Sequence, residues 1–310
     1  MPSVAVVGAG LIGRSWAIVF ARAGWEVRMT DPDANTLENA PRRILDGLQE
    51  LAAHGLVTDP ALAAERVAPV RSVAEAVDGV DLVQENGPEV LAAKRAIFAE
   101  LDRLAPDGAV LASSTSAIVA SAFTEALPGR ARCLVAHPVN PPHLVPLVEL
   151  CPAPWTNEET IQRARSIYQS VEQVPITVNR EIEGFVLNRL QGALLSEAFR
   201  LVGEGVVSPQ DLDKTLKDGL GLRWSFLGPF ETIELNAPGG IADYCERYSG
   251  FYRRLAADPP APTVWDQGTV DRILEAWGEP REGEAIARRS TWRDRRLAAL
   301  KAHKRSQSDA

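Results

Sequence analysis

Cysteine is scarce in this chain. Cys133, Cys151 and Cys245 are odd in number, far apart and in no Cys-x-x-Cys pattern, so neither a disulfide framework nor a zinc site is expected, and a reducing cytoplasm is the natural compartment. Long apolar runs are missing too. Met1 leads almost directly into the short apolar run 4–7 with no basic stretch before it, and no later segment approaches the roughly 20 uninterrupted apolar residues of a membrane span. Neither export nor membrane insertion is expected. Excess positive charge is also absent. With 41 acidic residues against 33 basic ones the net charge is −8, which repels a polyanion and removes the electrostatic term behind most nucleic-acid affinity.

What is present is an ordinary globular mixture, 45% apolar and 24% charged over 310 residues, long enough for two domains. Through the first half, short β-branched runs alternate with longer helical patterns, the mark of βαβ units and a mostly parallel sheet. Strands are expected over residues 4–7, 26–30, 82–84, 110–112, 133–136, 147–150 and 174–178, and helices over 12–23, 36–53, 88–104, 121–127 and 157–171. From about Glu183 the character changes, with Leu187, Leu190, Leu194, Leu195 and Ala198 recurring at helical spacing. The expected fold is α/β, a Rossmann-type doubly wound, mostly parallel sheet over residues 1–182 followed by a smaller all-helical domain over 183–310. The stretch 288–305 carries eight basic residues against Asp294 and reads as a solvated helical face answering acidic neighbours.

Gly8-Ala9-Gly10-Leu11-Ile12-Gly13 follows the first expected strand and opens the first expected helix, and Asp31 ends the next strand 18 residues after Gly13. This is the context that a dinucleotide fingerprint requires. Gly8 permits the tight turn, Gly10 lets backbone approach a pyrophosphate, and Gly13 lets helix and strand pack closely, while the helix N-terminus offers free N–H groups to the phosphates. Asp31 is placed to accept hydrogen bonds from the adenosine ribose and to repel a 2′-phosphate, so NAD is preferred over NADP. Its other reading is a helix N-cap.

Three polar clusters fall just past expected strands, where ligands bind in open α/β sheets. They are Ser113-Ser114-Thr115-Ser116, then His137-Pro138-Val139-Asn140-Pro141-Pro142, and Glu149 alone among the apolar residues of 146–150. An apolar strand tolerates Glu149 only if it is paired, and an imidazole is a suitable partner. Such a pair suits His137 to proton exchange with a hydroxyl. A core histidine bonded to a core carboxylate fits the spacing equally well.

With these motifs the chain resembles the 3-hydroxyacyl-CoA dehydrogenase family over nearly its full length. The resemblance implies that Ser116 in SSTSA, His137 in AHPVNPP, Glu149 in PLVEL and Asn188 in GFVLNRL form the catalytic site. It also implies that Glu89 and Lys94 in PEVLAAK, with Asn140, hold the nicotinamide half of NAD. Because Asn188 opens the helical domain, the site is expected in the interdomain cleft. Within the family the segments HPVNPPHLVPLVEL, GFVLNRLQGALLSEAFRLV and GLGLRWSFLGPFETIELN resemble the λ-crystallin and L-gulonate 3-dehydrogenase branch. In the last of these, Arg223 is suited to anchor a substrate carboxylate or to make a surface salt bridge. Between residues 32 and 66, where a CoA nucleotide wants cations, six acids face three arginines, which disfavours CoA. The expected activity is NAD-dependent oxidation of the 3-hydroxyl of a small hydroxy acid, with L-gulonate foremost, in a homodimer joined through the helical domain. A short-chain 3-hydroxyacyl-CoA dehydrogenase and an NAD-binding structural protein are the alternatives.

Overall fold

The computed structural model describes residues 1–278 and 282–307. Its eight strands are β1 (Ser3–Val7), β2 (Glu26–Thr30), β3 (Val67–Pro69), β4 (Leu82–Glu85), β5 (Val110–Ser113), β6 (Cys133–Pro138), β7 (Leu147–Pro152) and β8 (Val174–Thr177). They form one sheet in the order β3-β2-β1-β4-β5-β6-β7-β8. Every neighbouring pair is parallel except β6 and β7, which run antiparallel. This is the doubly wound sheet that the alternating pattern implies. Seven strands were legible, and β3 was not: three residues ending in proline give no pattern, and only an edge strand tolerates that proline.

Both faces of the sheet are covered, which explains why its strands read as continuous apolar runs. Successive side chains of β1 point to opposite sides. Val4 and Val6 join Trp16, Phe20, Leu48 and Tyr168 in one core, while Ala5 and Val7 join Val77, Phe98 and Leu101 in the other. Trp16 and Phe20 are fully buried on the helix Leu11–Arg22 and pack against each other and Tyr168, with ring centroids 5.4–6.4 Å apart. Truncating either aromatic to alanine costs about 3–5 kcal/mol. The first helix, on which the fingerprint depends, is thereby fixed against the sheet.

By its internal contacts the chain divides into two units, one of residues Met1–Leu187 together with the chain from Ala287 onward, the other of Asn188–Ile286. The contacts place the boundary after Leu187, against an expected 182, and add the end of the chain to the first unit. The C-terminal helix, Glu284–Ser306, returns to the first unit because its apolar residues lie there: Ala298 is fully buried in the first core and Leu297 and Ala302 pack against it. Its cations do meet acids. Arg295 pairs with Glu50 at 2.9 Å and Arg305 with Glu172 at 3.0 Å. Within Asn188–Ile286 the described residues form helices and turns, beginning with the helix Leu187–Gly203.

Candidate active site

Gly8 has φ +101°, and a Cβ there would lie 2.8 Å from the Asn86 carbonyl oxygen. At Gly13 a Cβ would lie 1.8 Å from the carbonyl oxygen of Gly8, so the turn and the helix touch through bare backbone. Gly10 is different. Nothing lies within 4 Å of a Cβ built on it, and it begins the helix with no side-chain cap and no acid in the first turn. The N–H groups beside exposed Leu11 and half-buried Ile12 therefore open onto unfilled space, as a pyrophosphate requires. Asp31 follows β2 directly. Its Oδ2 accepts from the Ala9 N–H at 2.6 Å and Oδ1 from the Asp33 N–H at 2.8 Å, bracing the fingerprint loop against the next strand. The N-cap of the following helix is Asp33, which accepts from the Asn35 N–H at 3.0 Å. Asp31 is thus not the N-cap of that helix but a brace of the loop, and the groove fits a dinucleotide.

The other wall of the groove is polar and buried. Glu85, at the end of β4, is fully buried and accepts from Lys94 Nζ at 2.8 and 2.9 Å, from Ser113 Oγ at 2.6 Å and from the Gly87 N–H at 2.5 Å. Lys94 also donates to the Gly87 carbonyl at 3.1 Å. Its three ammonium hydrogens are therefore matched inside the fold, and Lys94 ties the Gly87 turn to the end of β4. Glu89 Oε1 accepts from Thr115 Oγ1 at 2.5 Å and from the Ala117 N–H at 3.1 Å, tying its loop to the serine cluster. Asn140 is exposed after β6.

In the serine cluster, Ser113 is bound to Glu85 and Thr115 to Glu89. Ser114 Oγ accepts from Trp16 Nε1 at 3.0 Å and from Gln84 Nε2 at 2.8 Å, and donates to Asn86 Oδ1 at 2.8 Å. Tyr168 donates to Gln84 from behind at 2.5 Å. Ser116 is the exposed member of the four. Sequence reasoning missed Gln84, Glu85 and Tyr168. The first two carried the signal that revealed Glu149, a polar residue inside an apolar strand; Tyr168 carried none.

His137 and Glu149 stand directly opposite each other across β6 and β7. His137 Nδ1 lies 2.7 Å from Glu149 Oε2, with Glu149 fully buried and His137 4% exposed. The other carboxylate oxygen accepts from the N–H groups of Val186 and Leu187 at 2.8 and 2.9 Å. Those donors are aimed by a left-handed turn, Gly184 at φ +75° and Phe185 at φ +48°. Positive φ is rare for a phenylalanine and persists only where packing enforces it. Phe185 is fully buried, its ring 5.4 Å from that of His137. Burial alone raises the Glu149 carboxyl, but the hydrogen bonds from His137, Leu187 and Val186 outweigh it and hold the group below the usual carboxylate range. An ionised Glu149 only accepts, so Nδ1 carries a proton, which in a neutral imidazole leaves the lone pair on Nε2. The arrangement is that of an oriented base. Asn188 is next in the chain after Leu187, and Arg223 lies exposed in the short helix Gly221–Trp224 of the second unit.

Family models match both parts of the chain: the 3-hydroxyacyl-CoA dehydrogenase NAD binding domain over residues 3–182 and the 3-hydroxyacyl-CoA dehydrogenase C-terminal domain over 184–276. The chain belongs to the 3-hydroxyacyl-CoA dehydrogenase family. Its relatives in that family include λ-crystallin of Oryctolagus cuniculus, 42% identical over 306 residues that cover 96% of each chain. L-carnitine dehydrogenase of Bacillus cereus is 33% identical over 96% of this chain and 90% of its own. Among solved structures, an NAD+-dependent FHMPC 5-dehydrogenase superposes with a TM-score of 0.86 at 27% identity, covering 99% of this chain and 100% of its own. This family member is an NAD-dependent oxidoreductase acting on a CH–OH group, in the λ-crystallin branch. The C-terminal helix lies beyond the residues that the family models match.

Proposed function

We propose that this dehydrogenase oxidises the 3-hydroxyl of a small free hydroxy acid, with L-gulonate the foremost substrate. The observation that carries the reading is the 2.7 Å contact of His137 Nδ1 with a Glu149 carboxylate already held by two backbone N–H groups. When bound, NAD accepts the hydride from the carbinol carbon. His137 takes the hydroxyl proton at Nε2, and Glu149 balances the imidazolium that results. Ser116 and Asn188 are assigned hydrogen bonds to the reacting oxygen, holding it in line. Gly8, Gly10, Leu11, Ile12, Gly13 and Asp31 are assigned the adenosine diphosphate half, and Glu89 and Asn140 border the nicotinamide half, with Lys94 behind them.

A free acid is favoured by the similarity to L-carnitine dehydrogenase, by the acid-rich segment 32–66, and by Arg223, which is exposed and absent from the ion pairs formed among the described residues of its unit. The second unit also exposes Leu190, Phe230, Leu235 and Phe251 at 48–73%, more large apolar surface than a chain of that size leaves in water, which supports a homodimer joined through it. Steady-state oxidation of L-gulonate, 3-hydroxybutyrate, carnitine and 3-hydroxybutyryl-CoA with NAD tests the substrate. The highest kcat/KM is expected for L-gulonate, and a preference for the thioester overturns the reading. A monomer by light scattering at micromolar concentration overturns the dimer.

A further inference from the structure

The loop 139–146 joins the strand that carries His137 to the strand that carries Glu149, and Asn140 stands exposed near its start. Its other end is held by three side chains from distant parts of the chain. Arg22, the last residue of the helix Leu11–Arg22, donates from Nη1 to the His143 carbonyl at 2.9 Å. Lys301 Nζ donates to the same oxygen at 3.3 Å from the C-terminal helix, which lies outside the residues that the family models match. Gln173 Nε2 donates to the neighbouring Pro142 carbonyl at 3.0 Å.

Stability alone does not account for these contacts. Arg22 Nε and Nη2 and Gln173 Oε1 are sealed from solvent and have no hydrogen-bond partner among the described residues. An unpaired buried polar atom costs more than one hydrogen bond returns, so each of these side chains is held in the interior at a loss. The half-buried His143 imidazole is pushed down to about 3, by burial first and then by Arg22, Lys301 and Arg293, so at neutral pH it adds no charge beside the two cations. What the contacts secure is the place of the loop. Between the held carbonyl and Asn140 lie Pro141 and Pro142, both buried, whose rings fix φ, and the Pro141 carbonyl accepts from the N–H groups of Leu144 and Val145 at 3.0 Å each. A shift at His143 is therefore carried to Asn140 rather than absorbed on the way.

We propose that Arg22 and Lys301 are positioning residues for the nicotinamide half of the cofactor site, acting through the His143 carbonyl to fix the loop 139–146 and with it Asn140. The proposal rests on the reading given above, in which Asn140 borders the nicotinamide. Neither side chain touches the cofactor. The C-terminal helix thereby acts on NAD binding from behind the loop, at a distance from the fingerprint that holds the adenosine diphosphate half.

The experiment is calorimetric binding of NAD, and of ADP-ribose, which lacks the nicotinamide, to the full chain. In Lys301→Met and in Arg22→Met, NAD affinity is expected to fall about 3–10-fold, the range for one well-placed hydrogen bond, while ADP-ribose affinity stays within about twofold. Lys301→Arg, which keeps a donor at that position, is expected to retain most of the NAD affinity. A general loosening of the fold lowers both affinities alike, and that result overturns the proposal, as does NAD affinity unchanged in either variant that folds. Should Arg22→Met fail to fold, Lys301→Met, altering a half-buried side chain, decides alone. Asn140→Ala separates this proposal from the reading beneath it: NAD affinity unchanged there withdraws Asn140 from the nicotinamide, whereas the brace stands or falls with Lys301→Met.

Discussion

Replacing Glu149 by glutamine changes one oxygen to an NH2 group, and the structure dictates where that group must go. The N–H groups of Val186 and Leu187 both point at Oε1, so the amide oxygen stays there and the NH2 turns toward His137 Nδ1, 2.7 Å away in the native pair. An NH2 group only donates, so Nδ1 must become the acceptor and the imidazole proton must move to Nε2. The nitrogen assigned to receive the substrate proton is then already protonated. Recovering the productive tautomer would place two donors face to face and forgo a charge-assisted hydrogen bond worth about 1.5–3 kcal/mol. The imidazolium would also lose its counter-charge. Together these predict a fall in kcat of about 10²–10⁴-fold, the range for loss of an effective general base. NAD affinity, which rests on the fingerprint, should be nearly unchanged. The assay is NADH formation at saturating NAD and acid substrate, with NAD binding followed by calorimetry. Stability gives a second readout. Because the folded carboxyl lies below its usual range, it stabilises the protein above the ordinary carboxylate pKa, and this contribution disappears as pH falls through the depressed value. The melting curves of Glu149→Gln and wild type should therefore converge in acid. A variant with kcat within a few-fold of wild type refutes the tautomer argument and returns His137 to a structural role.

Other consequences are open to measurement. Wild type should bind NAD far better than NADP; Asp31→Ala with an arginine introduced nearby should narrow that gap by calorimetry, at some cost in NAD affinity because the Ala9 N–H loses its acceptor. His143 is held to about 3, so between that value and the ordinary histidine pKa the unfolded chain binds the extra proton and stability declines as pH falls. The loss should reach up to about 2 kcal/mol by pH near 5, and His143→Gln should flatten that part of the urea-denaturation profile. Arg223→Met should lower kcat/KM for the free acid by about 2–5 kcal/mol while leaving turnover of a thioester largely intact; equal efficiency of variant and wild type on the acid removes the carboxylate anchor.

The sheet was legible because burial on both faces writes each strand as an unbroken apolar run, and a run of this kind needs no neighbour to be recognised. Edge strand β3 was not, since three residues, two of them exposed and the last a proline, show no such run. The fingerprint was legible for a different reason: its glycines answer to backbone contacts that admit no Cβ, as the 1.8 Å clearance at Gly13 shows. Glu149 stood out as an acid in an apolar strand, yet its partner could be named only as a nearby imidazole. What decides the pairing is the antiparallel register of β6 and β7, a long-range fact that local pattern does not encode. Lys94 illustrates the reverse case. Its place in a motif suggests a ligand contact, while the structure holds its ammonium group on fully buried Glu85 at the end of β4, which makes it a brace as well. The packing of the C-terminal helix on the first unit was not legible because its charge hides its burial: among eight cations, only Ala298 is fully buried, with Leu297 and Ala302 partly covered beside it.

The two parts of the molecule are built to different tolerances, and that difference bears on how the chemistry and the choice of acid are divided. His137 and Glu149 sit on paired strands in the interior, where Nδ1 and both carboxylate oxygens have partners within 3 Å and the ring is backed by Phe185. Shifting either residue means breaking sheet register. Arg223 instead lies among short helices, after the π-helical turn Thr215–Leu220, in a unit whose buried apolar side chains are few and small, among them Ala198, Ala237 and Val264. π-Helical turns are conformationally costly and recur at functional positions. A loosely packed segment can change length or charge with little loss to the first unit's core, so substitutions there should redirect the enzyme among acids while the proton-transfer pair stays intact. On this reasoning, altering residues 215–226 changes kcat/KM ratios between acids far more than it changes kcat on the best of them, whereas altering Glu149 lowers kcat on all.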